Sequence, residues 1–296
     1  MGHDHHHHHD ANDTGNIKVA FFLNLGFTII ELVGGFMTNS VAILSDALHD
    51  LGDSMSLGLA WYFQRVSKKG RDRHYSYGYR RFSILGAVIN SIVLIVGSVF
   101  ILLEAIPRLS NPEMPDAQGM LYLAILGVVV NGFAAWRLSH GHSHNEKVVS
   151  LHMIEDVLGW VAVLIGALVM MFYDLPIIDP LLSIGIALFI LYNVVKSLKK
   201  TSAIILQGLP ADLDENKISS YLNNIEGVSS CHDMHMWTLD GSYHVLTAHL
   251  VLEQDKTMEE LAVIKAKIRH DLHEFGIEHA TIETETKDED CGFEDC

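Results

Sequence analysis

Two short phrases of the sequence place the same two metal-binding residue types four positions apart. SDALHDLGDS contains His49 and Asp53, and LHMIED contains His152 and Asp156. Residues at i and i+4 share one helix face, so each pair can present an imidazole and a carboxylate to the same side. Two such helices facing each other would supply a tetrahedral ligand set that suits Zn²⁺. One pair alone is weak support, since polar residues in helix bundles often only hydrogen-bond a neighbour, but two identical pairs predict a shared site.

Other polar residues lie in the same part of the sequence. Asp46 and Asp50 flank His49 on the second predicted helix, and we expect them to support the metal ligands or to line the mouth of the pore. Asn24 lies in the first predicted helix and is expected to hydrogen-bond a neighbouring helix in the surroundings of this site.

Six apolar segments are long enough to carry these residues across a membrane. A spanning helix needs about 20 mainly apolar residues, and 49% of the chain is hydrophobic. The sequence therefore predicts an α-helical membrane protein, with the ligand pairs in its second and fifth segments. Because the links are short, the first two helices and the last two helices are expected to be antiparallel neighbours. The segments are residues 17–36, 40–63, 82–106, 118–138, 151–172 and 177–195.

The charges of the connecting segments predict the orientation in the membrane. Residues 65–81 contain seven Lys and Arg side chains, whereas the first-to-second and fifth-to-sixth links contain none. By the positive-inside rule, residues 65–81 and both termini are cytoplasmic. We therefore expect a multi-pass protein of the bacterial inner (plasma) membrane.

A soluble domain is predicted after the last apolar segment, where charged residues become frequent. The pattern indicates a helix at 215–224, strands at 234–239 and 244–252, a helix at 258–275 and a strand at 279–285. The order αββαβ is that of a small α+β sandwich. The predicted domains are a His-rich N-terminus (1–16), a transmembrane domain (17–200), this cytoplasmic domain (201–288) and an acidic tail containing cysteines (289–296).

The overall charge excludes several classes of function. Acidic residues outnumber basic ones 36 to 20, which argues against a nucleic-acid partner and favours cations. Nineteen His beside three Cys favour a borderline ion such as zinc over copper(I). The sequence contains neither an H-E-x-x-H protease motif nor a phosphate-binding glycine loop, so we expect no enzyme.

Longer stretches around these residues resemble the cation diffusion facilitator family, in its zinc-transporter branch. The stretches are NSVAILSDALHDLGDS, YSYGYRRFSILGA, LHMIEDVLGW and GVSSCHDMHMWTLD, and the resemblance covers nearly the whole chain. It implies that His49, Asp53, His152 and Asp156 form the transport site. It also implies a homodimer, a ferredoxin-like soluble domain of the metallochaperone type, and exchange of metal for protons.

The same resemblance points to a second metal site in the soluble domain. His232, His249 and Glu285 match zinc-binding positions of the family's zinc transporters, and Cys291 and Cys296 follow closely, where the branch often carries a cysteine pair. A structural role for the two histidines is the alternative. Some bacterial relatives carry a further loop site with His at the positions of Tyr75 and Tyr79, so we expect that loop site to be absent or weak here.

Two His-rich segments are predicted to lie on the cytoplasmic side and to concentrate metal loosely. A purification tag is the alternative for the N-terminal run, although its interleaved aspartates favour a native segment. The residues concerned are His5, His6 and His7, and His140, His142 and His144.

The sequence thus predicts proton-coupled efflux of Zn²⁺, with Co²⁺ and Cd²⁺ as further candidate substrates. Metal ligands must lose their protons to bind, so the same four groups can hold either a metal ion or protons. Zinc is both the expected substrate and the expected ligand of the soluble domain. The alternative function is a membrane-anchored metal sensor or scaffold without transport.

Overall fold

A computed structural model describes the backbone of residues 10–139, 144–254, 256–289 and 291. The side chains of residues 10–20, 138, 144–149, 151 and 152 lie outside this description. The chain divides into two compact units, one containing residues up to 62 and 86–197, the other containing residues 63–85 and those from 198 onward.

The first unit is built from long helices that match the six predicted spans and extend beyond most of their ends. Five of them are long and apolar enough to cross a membrane, in agreement with the α-helical membrane class. The helices are α1 (Asp10–Thr38), α2 (Val41–Ser67), α3 (Phe82–Ser110), α4 (Ala117–Ser139), α5 (His144–Tyr173) and α6 (Ile178–Ile205).

The remaining helix, α2, is less hydrophobic than the five spans because of its polar residues. It has 27 residues, which at 1.5 Å per residue gives about 40 Å, longer than the hydrocarbon core. Its Asp46 and Asp50 are buried inside the unit rather than exposed on the outer surface. These two acids of α2 therefore face the protein interior, and α2 is long enough to form a sixth span.

Hydrogen bonds at one end of the helices fix the start of α2. Asp179, in the first turn of α6, accepts a hydrogen bond from the Ser40 hydroxyl at 2.5 Å and from the backbone N–H groups of Val41 and Ala42 at 2.9 and 3.2 Å. These N–H groups belong to the first turn of α2 and have no partner within the helix. The buried Asp179 thus caps α2 from a different helix and sets where α2 enters the unit.

Glycines lie at two helix–helix contacts of this unit. A side chain at Gly97 of α3 would collide with Leu48 of α2, and one at Gly127 of α4 would overlap the buried Trp160 indole of α5. Close approach of backbones at small residues is the usual basis of helix association in membranes. A Cβ atom at Gly159 of α5 would lie 3.6 Å from Asp46 Oδ1, so a polar side chain of α2 faces α5 in the interior.

The second unit, called the soluble unit below, contains two helices and three strands among its described residues. They are α7 (Glu215–Asn223), β1 (Val228–Thr238), β2 (His244–Leu252), α8 (Met258–Glu274) and β3 (Ile277–Glu285). The predicted αββαβ order is confirmed. β1 pairs antiparallel with β2, and β2 pairs parallel with β3. The predicted start of β1 was six residues too late, because register shifts between Val228 and Ser230 and between His232 and His235 interrupt the alternation of apolar residues.

The two faces of this sheet differ in chemistry. Leu246, Leu250 and Ile282 point to the same side and form a core with Ile268 and Leu272 of α8. Side chains alternate across a strand, so His249 lies on the opposite face, away from this core. Its neighbours on that face are found from the register, which pairs His249 with His232 of β1 and with Glu283 of β3.

Candidate metal sites

His49 and Asp53 of α2 and Asp156 of α5 come together in the first, helical unit, called the membrane unit below. His49 Nε2 lies 3.7 Å from Asp53 Oδ2 and 3.8 Å from Asp156 Oδ1. One ligand atom from each residue lies within 4.8 Å of the others, so a single ion of ordinary zinc–ligand distance could contact all three. The Asp156 side chain is almost fully buried, while those of His49 and Asp53 are partly exposed.

The fourth predicted ligand, His152, lies on α5 four residues before Asp156. Its side chain is outside the described residues. Its backbone position places it on the same face of α5 as Asp156, one turn away. Three of the four predicted ligands are therefore observed together, and the position of the imidazole of His152 remains a prediction.

A cavity of about 260 Å³ leads to the partly exposed ligands. It is lined by His49 and Asp53, by the apolar Leu94, Phe189, Ile190 and Val194, and by polar or small residues of four helices. A hydrated ion could approach the ligands along such a polar wall. The polar and small lining residues are Ser56, Ala87, Asn90, Ser91, Glu155, Asn193 and Ser197.

Additional carboxylates are buried around the ligands. Asp46 and Asp50 of α2 are buried and do not line the cavity, and the Asn24 amide of α1 donates to the Asp50 carbonyl and to Ser54 Oγ, both at 3.3 Å. Glu31 of α1 is also fully buried. Sequence reasoning missed Glu31, although a lone acid within an apolar 18-residue stretch was a usable signal.

The second group of ligand atoms lies in the soluble unit, on the sheet face opposite to α7 and α8. His249 Nδ1 is 2.5 Å from Glu285 Oε1 and 3.4 Å from Cys291 Sγ, and His232 Nε2 is 3.4 Å from Glu285 Oε2. Ligand atoms of these four residues lie within 4.8 Å of one another. Two imidazoles, one carboxylate and one thiolate form a set typical of tetrahedral zinc. The remaining predicted residue, Cys296, lies outside the described residues.

Two further acids approach the other nitrogen of His249. Its Nε2 lies 3.6 Å from Asp233 Oδ2 and 3.5 Å from Glu283 Oε2. Asp233 follows His232 with φ of 46°, in the left-handed region, at the register shift of β1. A mostly buried outer carboxylate such as Asp233, 11% exposed, orients a ligating imidazole and fixes its tautomer, whereas Glu283 is 67% exposed. Neither acid was predicted, because their proximity depends on an irregularity of β1 that leaves no simple pattern in the sequence.

The remaining candidates fall outside these clusters. His5, His6, His7, His140 and His142 lie outside the described residues, as does the side chain of His144. In the loop before α3, the Tyr79 hydroxyl donates to Asp72 at 2.7 Å and its ring contacts that of Tyr75 at a centroid distance of 4.5 Å. These two tyrosines thus form an internal contact of the loop.

The fold and the ligand groups together define an integral membrane protein that carries a metal-ligand cluster in each of its two units. Residues 17–206 match the family described as Cation efflux transmembrane domain, and residues 210–287 match Cation efflux protein, cytoplasmic domain. The chain therefore belongs to the cation efflux, or cation diffusion facilitator, family, and the resemblance to its zinc-transporter branch is confirmed.

Curated relatives are similar over almost their whole length. The Cadmium, cobalt and zinc/H(+)-K(+) antiporter of Bacillus subtilis is 37% identical over 97% of this chain and 93% of its own. Metal cation efflux system protein CzcD of Cupriavidus metallidurans is 34% identical over 96% and 90%. Zinc transporter ZitB of Escherichia coli is 31% identical over 100% and 96%. These relatives are transporters, and none of their names describes an enzyme.

Proposed function

We propose that this protein exports Zn²⁺ from the cytoplasm in exchange for protons, with Co²⁺ and Cd²⁺ as further substrates. The observation that carries this proposal is the meeting of His49, Asp53 and Asp156 in the interior of a membrane-spanning helix unit. The imidazole of His152 completes the set in this proposal. Two carboxylates neutralise a dication that has left water, and such neutralisation is required in a medium of low polarity.

The exchange for protons follows from the chemistry of the ligands. Each ligand must release its proton before it binds metal, so protons and zinc compete for the same groups. The acids Glu31, Asp46 and Asp50 are buried in the same helix unit and are proposed to add proton-binding capacity to it. When the helices open the ligands alternately to each side, protons from outside displace the zinc ion.

The energetics favour such coupling. Moving a dication out against an inside-negative potential costs about 4.6 kcal/mol per 100 mV, since each charge costs about 2.3 kcal/mol. Inward movement of protons down the same potential supplies this energy. The name of one relative, a metal cation efflux system protein, supports outward transport, and the name of another, a zinc/H(+)-K(+) antiporter, supports exchange.

The soluble unit is proposed to bind zinc through His232, His249, Glu285 and Cys291, with Cys296 as a further thiol, and to regulate transport. The match to the cytoplasmic domain family, whose short name is ZT_dimer, supports a homodimer. In this proposal both termini and the loop before α3 face the cytoplasm, because the basic residues are concentrated there. The His-rich segments concentrate metal on the same side.

A membrane-anchored sensor is the competing function, and zinc flux distinguishes the two. The protein is reconstituted into vesicles that contain a zinc-sensitive dye, and a proton gradient is imposed. We expect zinc uptake that depends on the gradient and is abolished by Asp53→Ala. The control is Glu104→Ala, which removes an exposed acid of α3 that lies outside the ligand group and should leave the flux unchanged. Equal flux in Asp53→Ala and in the unmodified protein would contradict the proposal.

A further inference from the structure

A cavity of about 460 Å³ lies at the end of α2, within the soluble unit and away from both ligand clusters. Lys68, Lys69 and Arg80 line it, and Asp240 is the single carboxylate among its lining residues. The cavity therefore has an excess of positive charge. Polar groups of Gln64 and Ser67 complete the part of the wall that belongs to α2.

The cationic wall is held by specific contacts rather than by mobile side chains alone. The Arg80 guanidinium lies 3.5 Å from Asp240 Oδ2 and 4.2 Å above the centre of the Tyr243 ring. An ion pair combined with stacking fixes the plane of a guanidinium. The single carboxylate of the cavity is thus engaged by Arg80, and Lys68 and Lys69 supply the remaining positive charge.

The loop that follows α2 supplies most of the remaining lining residues and is ordered by its own contacts. Asp72 accepts hydrogen bonds from the backbone N–H groups of His74 and Tyr75 at 2.8 and 2.9 Å. Gly78 has φ of 75°, and a Cβ atom there would lie 3.0 Å from the carbonyl oxygen of Lys69. A residue with a side chain is disfavoured at this turn for both reasons. The geometry of the loop therefore keeps Lys69 next to the cavity.

The cavity adjoins the point where α2 ends. Ser67 is the last residue of α2, and Trp61 and Tyr62, one to two turns earlier, are 68% and 57% exposed. Exposed Trp and Tyr near the end of a spanning helix are typical of the level of the lipid headgroups. A basic cavity at this level is in reach of the phosphate groups of the bilayer.

We propose that Lys68, Lys69 and Arg80 form a binding site for the phosphate-bearing headgroup of an anionic phospholipid. The lysines attract the phosphate, while Arg80 is held by Asp240 and Tyr243 at the edge of the cavity. This proposal does not depend on the identity of the transported ion. Each basic residue near a membrane surface contributes about 1 kcal/mol to the attraction of anionic lipid, so removing both lysines should weaken binding roughly 30-fold.

The test uses the full-length protein in a neutral detergent and isothermal titration with short-chain phosphatidylglycerol. Phosphatidylcholine of the same chain length and inorganic phosphate are titrated separately, to distinguish an anionic lipid from any lipid and from any phosphate. The test variant is Lys68→Gln/Lys69→Gln. The matched control is Arg71→Gln/Arg73→Gln, which removes the same charge from exposed positions of the same loop outside the cavity.

We expect saturable binding of phosphatidylglycerol to the unmodified protein and to the arginine control, and roughly 30-fold weaker binding to the lysine variant. Phosphatidylcholine and inorganic phosphate should bind at least tenfold more weakly. Equal weakening by both double variants would overturn the site, because the attraction would then be general to the loop. Unchanged affinity of the lysine variant, or equal affinity for phosphatidylcholine or for phosphate, would overturn it as well.

Discussion

Replacing Glu285 by Gln tests the proposed zinc site of the soluble unit, because the change keeps the shape of the side chain and removes one charge. The Glu285 side chain is 7% exposed and contacts both histidines. A matched control is Glu283→Gln, two residues away on the same face of β3. The Glu283 side chain is 67% exposed and lies 3.5 Å from the far nitrogen of His249.

The expected magnitudes follow from distance and burial. Two unit charges 3.4 Å apart, the separation of Glu285 Oε2 from His232 Nε2, interact by about 5 kcal/mol at an effective dielectric constant near 20, which sets the scale for a carboxylate beside a bound ion. At 3.5 Å in water, the case closer to Glu283, the interaction is about 1 kcal/mol. After partial offset by desolvation, we expect Glu285→Gln to weaken zinc binding by about 100-fold, or about 2.7 kcal/mol. For Glu283→Gln, the loss should be no more than about fivefold.

Cobalt substitution restricts the assay to the soluble site. A Cys291 thiolate bound to Co²⁺ gives a thiolate-to-metal charge-transfer absorption, whereas the ligand set proposed for the membrane unit contains no sulfur. Zinc is then added to the cobalt-loaded protein, and loss of this absorption gives the relative zinc affinity. Equal affinities for the two variants would refute the reasoning, as would an absorption band that does not require Cys291.

Three further outcomes follow from the structure. In zinc-flux assays, Asp156→Asn should abolish transport while His232→Ala keeps at least half of it. The reason is that Asp156 belongs to the ligand group of the membrane unit and His232 does not. The reverse ranking would contradict this assignment. Burial raises the pKa of the Cys231 thiol from 9.0 to about 11, so in a Cys291→Ser/Cys296→Ser background with a chelator its alkylation at pH 8 should be about 100-fold slower in the folded than in the urea-unfolded chain. Equal rates would show that the thiol is not buried. The methyl group added by Gly127→Ala should overlap the Trp160 indole and destabilise the membrane unit by about 1–3 kcal/mol. This loss is measured as a lower midpoint temperature of thermal unfolding. Gly132→Ala on the same helix meets nothing within 4 Å and is the control; equal midpoints would contradict the packing described.

The sequence was most informative where one local pattern carries the structure. Long apolar segments predicted the spanning helices, and His49 with Asp53 predicted a shared helix face because the i, i+4 spacing requires it. The low hydropathy of α2 comes in part from Asp46 and Asp50, which are buried in the helix unit. The repeated i, i+4 spacing on α5 suggested that Asp156 would share a site with His49. Their 3.8 Å separation, however, depends on how α2 and α5 pack, which the spacing does not report.

Features that depend on contacts between distant segments were missed. Glu31 lies alone in an apolar stretch of the sequence, and its full burial becomes visible only in the packed helix unit. Asp233 approaches His249 because β1 changes register after His232. Irregularities of this kind respond to tertiary packing, whereas sequence patterns report mainly local periodicity. The domain limits drawn at residues 16, 200 and 288 remain predictions.

The central claim is that residues of α2 and α5 hold one zinc ion between them. It is tested most directly by zinc X-ray absorption on full-length protein in which His232→Ala and Glu285→Gln disable the soluble site and weakly bound metal has been removed. We predict one retained zinc per chain, with a first shell of nitrogen and oxygen at about 2.0 Å, and loss of that zinc in Asp156→Asn. Sulfur in the shell at about 2.3 Å, or a retained zinc that Asp156→Asn leaves in place, would contradict it.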